Sequence, residues 1–271
     1  MNFIKIFLMV LISFPFLSRI WGAITKIEKP VWLVQKVIEI YRDHYRIDMN
    51  DYQGNISDYK SLAAFFTRPL NKSVRPFSEN KDFFLSPSDG LITLLEKVNS
   101  DIATQVKGKT YRISELIRHD LNFTEGYYLM TIYLSPRDYH RYHVPSDSTA
   151  VSYIHTGWRL FPVNKVSVEN IDNLFVKNER VAVKFNSYGH NYYYVAVGAT
   201  FVGSIKMKVF TDPVEGAWTA VDRPFRQNDE FGMFEMGSTI VLVIPEKMVG
   251  EMKISQGDVV TAGQTLFQIN K

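Results

Sequence analysis

The stretch that decides the fold is residues 181–205, VAVKFNSYGHNYYYVAVGATFVGSI. It holds three short apolar runs rich in β-branched and aromatic residues: Val181–Phe185, Tyr192–Val197 and Thr200–Ile205. Asparagine and glycine residues separate these runs. Short runs of this composition, bounded by turn-forming residues, predict β-strands joined by tight connections, which makes neighbouring strands antiparallel.

The same pattern of short apolar runs separated by turn-forming residues begins at about residue 82 and continues to the end of the chain. Further predicted strands are Gly90–Leu95, Tyr127–Leu134, Thr239–Ile244 and Thr265–Ile269. The last stretch, 253–269, places Gly-Asp and Ala-Gly turns between short strands, as at the edge of a small sandwich of the biotinyl/lipoyl kind. We therefore expect a mostly antiparallel β body that contains a biotinyl/lipoyl-like sandwich element.

Residues 1–70 show helical patterns instead. Ser61 precedes the run Leu-Ala-Ala-Phe-Phe as an N-cap, and Pro69 stops that run. Pro30–Tyr41 has the spacing of an amphipathic helix. The expected fold class is α+β, with a helical, membrane-associating portion at 1–70 and a β-rich domain at 71–271.

The N-terminus is strongly apolar, and its run Ile6–Phe14 is broken only by Ser13. This run is shorter than the roughly 20 residues that a spanning helix needs, and Pro15 and Arg19 interrupt its continuation. A signal peptide, a spanning helix and a helix buried in a soluble core are alternatives. We favour an interfacial anchor, with Trp21 at the headgroup boundary. The cations that would lie near anionic lipid are Lys5, Arg19, Lys26 and Lys29.

Composition excludes several classes of protein. With 46% hydrophobic and 22% charged residues, the 271-residue chain is typical of an ordinary globular protein. A formal net charge of +3 is too small to indicate a nucleic-acid partner. Because the chain has no cysteine, a disulfide framework, a zinc–thiolate site and a cysteine nucleophile are excluded.

Three short segments combine an acid, two histidines and a hydroxyl: PSDG at 87–90, LSPRDYHRYHVP at 134–145 and GST at 237–239. Taken singly, each has a structural explanation. Asp-Gly is most often a β-turn, histidines three apart fit a surface turn or a metal site, and Gly-Ser-Thr often forms a turn before a strand. We expect no metal, because no further ligand stands at a recognised spacing. An acid, a base and a hydroxyl together permit a reactive serine.

In order and in detail, these segments resemble the signature blocks of the phosphatidylserine decarboxylase family. Further similarity runs through Leu62–Leu70, Asn173–Val181 and Val197–Ile205, so the resemblance covers the chain from about residue 35 to its end. One position departs from the family pattern, because Met236 stands where Leu is usual before Gly-Ser-Thr. Since Met and Leu have similar volumes, we expect cleavage to survive, at an efficiency that the sequence leaves open.

The resemblance implies that Asp89, His143 and Ser238 form a self-processing triad. Asp89 would orient His143, and His143 would take the proton of the Ser238 hydroxyl, which attacks the carbonyl of Gly237. Elimination and hydrolysis would leave a pyruvoyl group at position 238. Its ketone would react with the amine of phosphatidylserine and take up electrons as CO₂ leaves, so that phosphatidylethanolamine is formed.

By the same resemblance, His140 is the proton donor at the substrate carbon and a contact of the substrate carboxylate. A histidine with its ordinary pKa near 6.5 can supply that proton at physiological pH. Arg137, Arg141 and Lys206 are candidates for binding the phosphate of the lipid head group.

The resemblance also predicts partners and location. The cut produces chains 1–237 and 238–271, and the small chain lacks a core of its own, so we expect a heterodimer of the two fragments, with a higher oligomer left open. The expected partners are phosphatidylserine and a membrane surface, and the expected location is the bacterial inner membrane, peripherally bound.

Two alternatives remain at this point. One is another pyruvoyl enzyme that acts on a soluble amino acid. The other is a non-catalytic lipid- or carrier-binding β module whose Gly-Ser-Thr is never cut.

Overall fold

A computed structural model describes residues 13–106, 108–200, 205–209, 215–235 and 238–271. In these residues, N-terminal helices precede a body of mostly antiparallel β-sheet, so the predicted α+β class is confirmed. The division into portions 1–70 and 71–271 stays a prediction.

Two helices, α1 and α2, dominate the N-terminal portion. The helices are α1 Pro15–Thr25, α2 Val31–Tyr45, α3 Leu62–Phe66, α4 Ile113–Ile117, α5 Lys165–Asn170 and α6 Leu174–Lys177. Short 3-10 turns lie at Met49–Asp51, Ile56–Asp58, Phe123–Glu125 and Glu246–Met248. Ser61 caps α3 as predicted, because its hydroxyl accepts a hydrogen bond from the Ala64 amide at 3.2 Å.

The β body is built from short strands. They are β1 Phe83–Leu85, β2 Gly90–Val98, β3 Ile102–Val106, β4 Lys109–Arg112, β5 Tyr127–Leu134, β6 Arg141–His143, β7 Ser148–Thr156 and β8 Arg180–Ser187. The chain continues with β9 His190–Gly198, β10 Ile205–Met207, β11 Thr219–Phe225, β12 Glu230–Phe234, β13 Ser238–Pro245, β14 Val249–Met252, β15 Val259–Val260 and β16 Thr265–Ile269.

One eight-stranded sheet organises the body, in the order β11-β7-β8-β9-β13-β5-β2-β15. Strand β13 is central, with β9 and β5 on its two sides, and Ser238 lies opposite Gly198 and Leu134. Smaller sheets, β1-β16-β14, β10-β12-β6 and β3-β4, lie around it. The pairing of β16 with β1 and of β15 with β2 brings the C-terminus back onto the body, whereas its likeness to a biotinyl/lipoyl sandwich stays a prediction.

Both faces of this sheet are covered. Because side chains alternate along a strand, Ile240, Leu242 and Ile244 of β13 join one apolar cluster, while Val241 and Val243 join another. Ser238 shares the face of Ile240. The sequence of a strand buried on both faces is a continuous apolar run, as in IVLVI at 240–244.

The observed elements agree closely with the predicted ones. The strands predicted at 127–134 and 265–269 have those bounds, and most of the others extend a few residues further. The helix predicted at Pro30–Tyr41 continues to Tyr45. The strand predicted at Thr200–Ile205 falls mostly outside the described residues, and β10 begins only at Ile205.

Within the described part of the chain, no helix has both the length and the apolar character to cross a bilayer. The anchor predicted for the N-terminus lies partly outside that part, because the described residues begin at Ser13.

An aromatic cluster fills the core on the Ser238 face. Phe185 is fully buried there, stacks on Tyr192 at 5.3 Å between ring centroids, and meets Phe225 and Phe231 edge-on at 6.2 and 5.2 Å. Such pairs add to the free energy gained from burying the rings.

We expect Phe185→Ala to lower the free energy of unfolding by about 3–5 kcal/mol, because it removes a fully buried ring from a close-packed core. The half-exposed Ile102 of β3 provides the control, and Ile102→Ala should cost much less. Urea denaturation of the purified variants measures both. Equal midpoints for the two variants would contradict this account of the core.

Candidate active site

The turn that carries Asp89 connects β1 to β2 and is fixed by its own serines. The Ser86 hydroxyl donates to Ser88 O at 2.7 Å, and the Ser88 hydroxyl donates to Tyr139 O at 2.8 Å. Pro87 O accepts a hydrogen bond from the His143 amide at 2.8 Å. The acidic turn, residues 87–90, and the histidine segment, residues 134–145, are therefore adjacent through backbone contacts.

The Asp89 carboxylate is almost fully buried and has three donors. Arg75 donates to both of its oxygens, at 2.6 and 3.0 Å, and the Ala262 amide donates to Oδ1 at 2.8 Å. A two-point pair of this kind compensates for removing the carboxylate from water. Arg75 also lies 3.4 Å from Asp51, so the guanidinium joins the turn to the N-terminal portion.

His143, at the end of β6, is held at both ring nitrogens. Nδ1 lies 2.9 Å from Asn228 O, and Nε2 lies 2.9 Å from the Tyr139 hydroxyl. Because a carbonyl only accepts, Nδ1 carries the hydrogen, and Nε2 accepts from the phenol. Burial, with smaller effects from Lys72 and Lys208, lowers the pKa of His143 to about 4. The ring is therefore neutral at physiological pH and has a lone pair on Nε2.

His140 is fully buried, and its ring lies 3.9 Å from that of Phe66 between centroids. Its Nδ1 lies 2.8 Å from Asp138 O, which makes Nδ1 the protonated nitrogen, whereas Nε2 has no partner among the described residues. Burial and the nearby charge of Arg68 lower the pKa of His140 to about 3. The expectation of an ordinary histidine pKa is therefore wrong, since removal from water disfavours the charged ring.

Ser238 is the first residue of β13 and is fully buried. Its hydroxyl has no hydrogen-bond partner among the described residues. It lies opposite Leu134, where the histidine segment begins, and the Phe234 amide donates to His140 O at 3.0 Å. The chain on both sides of the predicted cleavage position is thus anchored to the histidine segment.

The three predicted segments meet, but the described contacts do not join Asp89, His143 and Ser238 to one another. Asp89 is paired with Arg75, and both nitrogens of His143 are occupied by other groups. Gly237 and Met236 lie outside the described residues. The triad and the role of His140 stay predictions.

The three cations predicted to bind phosphate have different surroundings. Arg141 is engaged, because it donates to Thr67 O at 2.7 Å and to Glu230 at 3.0 Å. Lys206 is exposed on β10, and Arg137 is largely exposed and lines a cavity of about 200 Å³ beside Asp89.

Sequence reasoning missed Arg68, Arg75, Tyr139 and Asn228, which contact or neighbour the predicted groups. Tyr139 lies within the histidine segment, so its position next to His140 could have identified it as a residue of the site. Asn228 acts through its backbone oxygen, which residue type does not reveal.

Comparison with known proteins supports one family. A family model described as phosphatidylserine decarboxylase matches residues 62–268. A phosphatidylserine decarboxylase proenzyme of Brevibacillus brevis is 35% identical over 263 residues, covering 92% of each chain. One of Helicobacter pylori is 35% identical over 246 residues, covering 88% of this chain and 91% of that protein. One of Escherichia coli is 32% identical over 285 residues, covering 98% and 88%. The chain therefore belongs to the phosphatidylserine decarboxylase family.

Proposed function

We propose that the chain cuts itself between Gly237 and Ser238, with Asp89, His143 and Ser238 as the reacting triad, and then works at a membrane surface. The family gives the activity: the chain is a phosphatidylserine decarboxylase, which forms phosphatidylethanolamine and CO₂ with a pyruvoyl cofactor made from its own serine. The observation that carries the proposal is the buried hydroxyl of Ser238 at the start of a central strand, which has no partner among the described residues.

His143 is suited to act as the base in cleavage, because its ring is neutral and Nε2 has the lone pair. That nitrogen accepts from Tyr139, so the ring must exchange Tyr139 for Ser238 in the reacting state. Catalytic hydrogen bonds often form only in the reacting complex. Likewise, Asp89 must loosen its pair with Arg75 before its charge can stabilise a protonated His143.

The site fits a pyruvoyl group. An unpaired buried hydroxyl costs about 1–3 kcal/mol, and replacing it with a keto oxygen removes the unsatisfied donor. Strand β13, fixed between β9 and β5, would hold the group in place. When present, a pyruvoyl group supplies a ketone that reacts with amines and an electron sink for decarboxylation.

His140 would deliver one proton to the substrate. Because the resting ring is neutral, the proton that it donates must arrive during the reaction. Its Nε2, which has no partner among the described residues, can take up a proton from solvent once the substrate carboxylate lies beside it, because a nearby negative charge raises the pKa of the ring. The same nitrogen would then donate the proton to the carbon that loses CO₂.

The two fragments would stay together after the cut. Strands β13, β15 and β16 all belong to 238–271, and they pair with β5 and β9, with β2, and with β1. The 34-residue fragment (271 − 237) is thus part of sheets completed by the larger chain. A higher oligomer and a location at the inner membrane stay predictions.

Exposed apolar residues on α1 and α2 support membrane contact. Phe16 is 69% exposed and Trp32 is 72% exposed, and an apolar cavity of about 290 Å³ between the helices is lined by Trp21 and Leu33. Apolar surface of this kind on a soluble domain marks an interaction site, and a diacyl substrate requires contact with lipid. Lys26, at the end of α1, pairs with Glu235 at 2.9 Å, so this surface adjoins the cleavage segment.

We expect Ser238→Ala to abolish cleavage and activity, because no hydroxyl remains to attack the preceding carbonyl. A denaturing gel and intact mass should show one chain, whereas the wild type gives fragments 1–237 and 238–271. Thr131→Val is the matched control, since Thr131 on β5 is also a buried hydroxyl without a partner. An intact but active Ser238→Ala protein would falsify the mechanism.

Substitutions of the two histidines should have different effects on cutting and on decarboxylation. We expect His143→Ala to remain uncut, because the base is lost, and His140→Ala to be cut at least partly yet lose decarboxylation by about 100-fold or more. Gel analysis measures cutting, and release of labelled CO₂ measures turnover. His44→Ala, at an exposed histidine, should behave like the wild type. Full turnover by cut His140→Ala enzyme would remove His140 from the mechanism.

Membrane binding should depend on the exposed apolar residues. We expect the double variant Phe16→Ser/Trp32→Ser to partition at least about tenfold less onto vesicles that contain anionic lipid, because a fully buried large apolar side chain contributes about 1.5–3 kcal/mol. Co-sedimentation measures the partitioning. Ile102→Ser, half-exposed on the β body, should bind like the wild type. Equal binding by all three proteins contradicts the assigned surface.

A further inference from the structure

The end of α3 holds the histidine segment on both sides of His140. The Phe66 ring contacts the His140 ring at 3.9 Å between centroids, and the next residue, Thr67, accepts from Arg141 Nε at 2.7 Å. Arg68 then donates from Nη2 to Arg137 O at 2.6 Å and to Asp138 O at 3.2 Å. Three consecutive residues therefore fix the backbone and the ring plane around His140.

Arg68 is fully buried, yet its described partners are neutral oxygens. Besides the two carbonyls, it donates to Phe65 O at 3.4 Å and to the Tyr52 hydroxyl at 3.2 Å, and its carbon Cζ lies 4.1 Å from the Tyr52 ring centroid. Within the described part of the chain, Nε of Arg68 has no partner and the guanidinium forms no ion pair with a carboxylate. A buried cation without a counter-ion is costly, so its retention needs a reason.

The Asp138 carbonyl oxygen links Arg68 to His140. It receives Arg68 Nη2–H at 3.2 Å and His140 Nδ1–H at 2.8 Å. A carbonyl polarised by a cation and fixed in position binds one tautomer of the ring, with the hydrogen on Nδ1. The lone pair of Nε2, which has no partner among the described residues, is left for a substrate.

The other charged groups around His140 are already engaged. The Asp138 carboxylate accepts from the Ser135 amide at 2.7 Å and lies 3.6 Å from Arg137, and Arg141 pairs with Glu230. Glu235, beyond Phe234, pairs with Lys26. Arg68 is thus the cation whose uncompensated charge acts on the ring, and it opposes protonation of His140.

We propose that Arg68 is a positioning residue for decarboxylation: through the Asp138 carbonyl it fixes the ring of His140 with Nε2 open to the substrate. The proton that His140 delivers to the substrate carbon comes from solvent, because decarboxylation consumes one proton for each CO₂ released. This inference rests on the proposed role of His140.

The test compares Arg68→Met and Arg68→Lys, with Arg180→Met as the matched control. Arg180 is also buried and also donates to backbone carbonyls, those of Leu116 and Glu115 among them, but it lies on β8. Cutting is measured on gels, and kcat, KM and the pH profile of kcat/KM are measured for the cut full-length enzyme with phosphatidylserine in mixed micelles.

We expect Arg68→Met to lower kcat by about 10–100-fold, the usual effect of removing a group that orients a functional histidine. Removing the positive charge also raises the pKa of His140, so the acid limb of kcat/KM moves to higher pH. Arg68→Lys keeps the positive charge, so its kcat should fall in part while the acid limb of its kcat/KM profile stays at the wild-type pH. Arg180→Met should be less stable than the wild type, but its kcat and the pH of its acid limb should be unchanged.

The inference is overturned if cut Arg68→Met enzyme has the wild-type kcat and an acid limb at the wild-type pH. It is also overturned if Arg180→Met loses as much kcat as Arg68→Met. If Arg68→Met does not fold, Arg68→Lys decides, because wild-type kcat there overturns the positioning role. A fully active His140→Ala enzyme instead removes the proposed function of His140 itself. An inactive His140→Ala enzyme beside a fully active Arg68→Met enzyme refutes only the role of Arg68.

Discussion

The pairing of β13 with strands on both sides is the constraint on which the rest of the structure depends. Because β5 and β9 bond its two edges, Ser238 has a fixed position at the end of a central, fully buried strand. The pairing of Ser238 with Leu134 also sets where the histidine segment leaves β5. The serine hydroxyl is buried because the strand register requires it, and none of the residues that the structure describes forms a hydrogen bond with it.

Burial then decides the charge states around that strand. Both histidines are removed from water, and the free energy of desolvation keeps both rings neutral. The charges that remain inside are paired, as Asp89 is with Arg75, or are held by carbonyl oxygens, as Arg68 is. The site thus contains neutral rings bounded by fixed charges, and each neutral ring has a lone pair that can accept a proton.

Much of this could be predicted from the sequence, and the exceptions have physical causes. Runs such as Tyr127–Leu134 and the cap at Ser61 depend on local patterns, so they were predicted well. The short β6 was missed because its pairing with the distant strand β12, rather than its composition, forms it. The hairpin β3–β4 was missed because its short strands, Ile102–Val106 and Lys109–Arg112, lack a continuous apolar run. The meeting of the three segments was predicted through resemblance, but the pairing of Asp89 with Arg75 and the low pKa values of the histidines depend on burial, which residue types alone do not give.

The central position of β13 has a consequence for the order of folding and proposed cleavage. Because β13 is paired at both edges, a fragment 238–271 could leave only if the whole sheet opened. A chain ending before position 238 would lack the middle of its own sheet. If the chain is cut at the proposed position, folding must therefore come before the cut, and two separately synthesised halves could combine only by folding together.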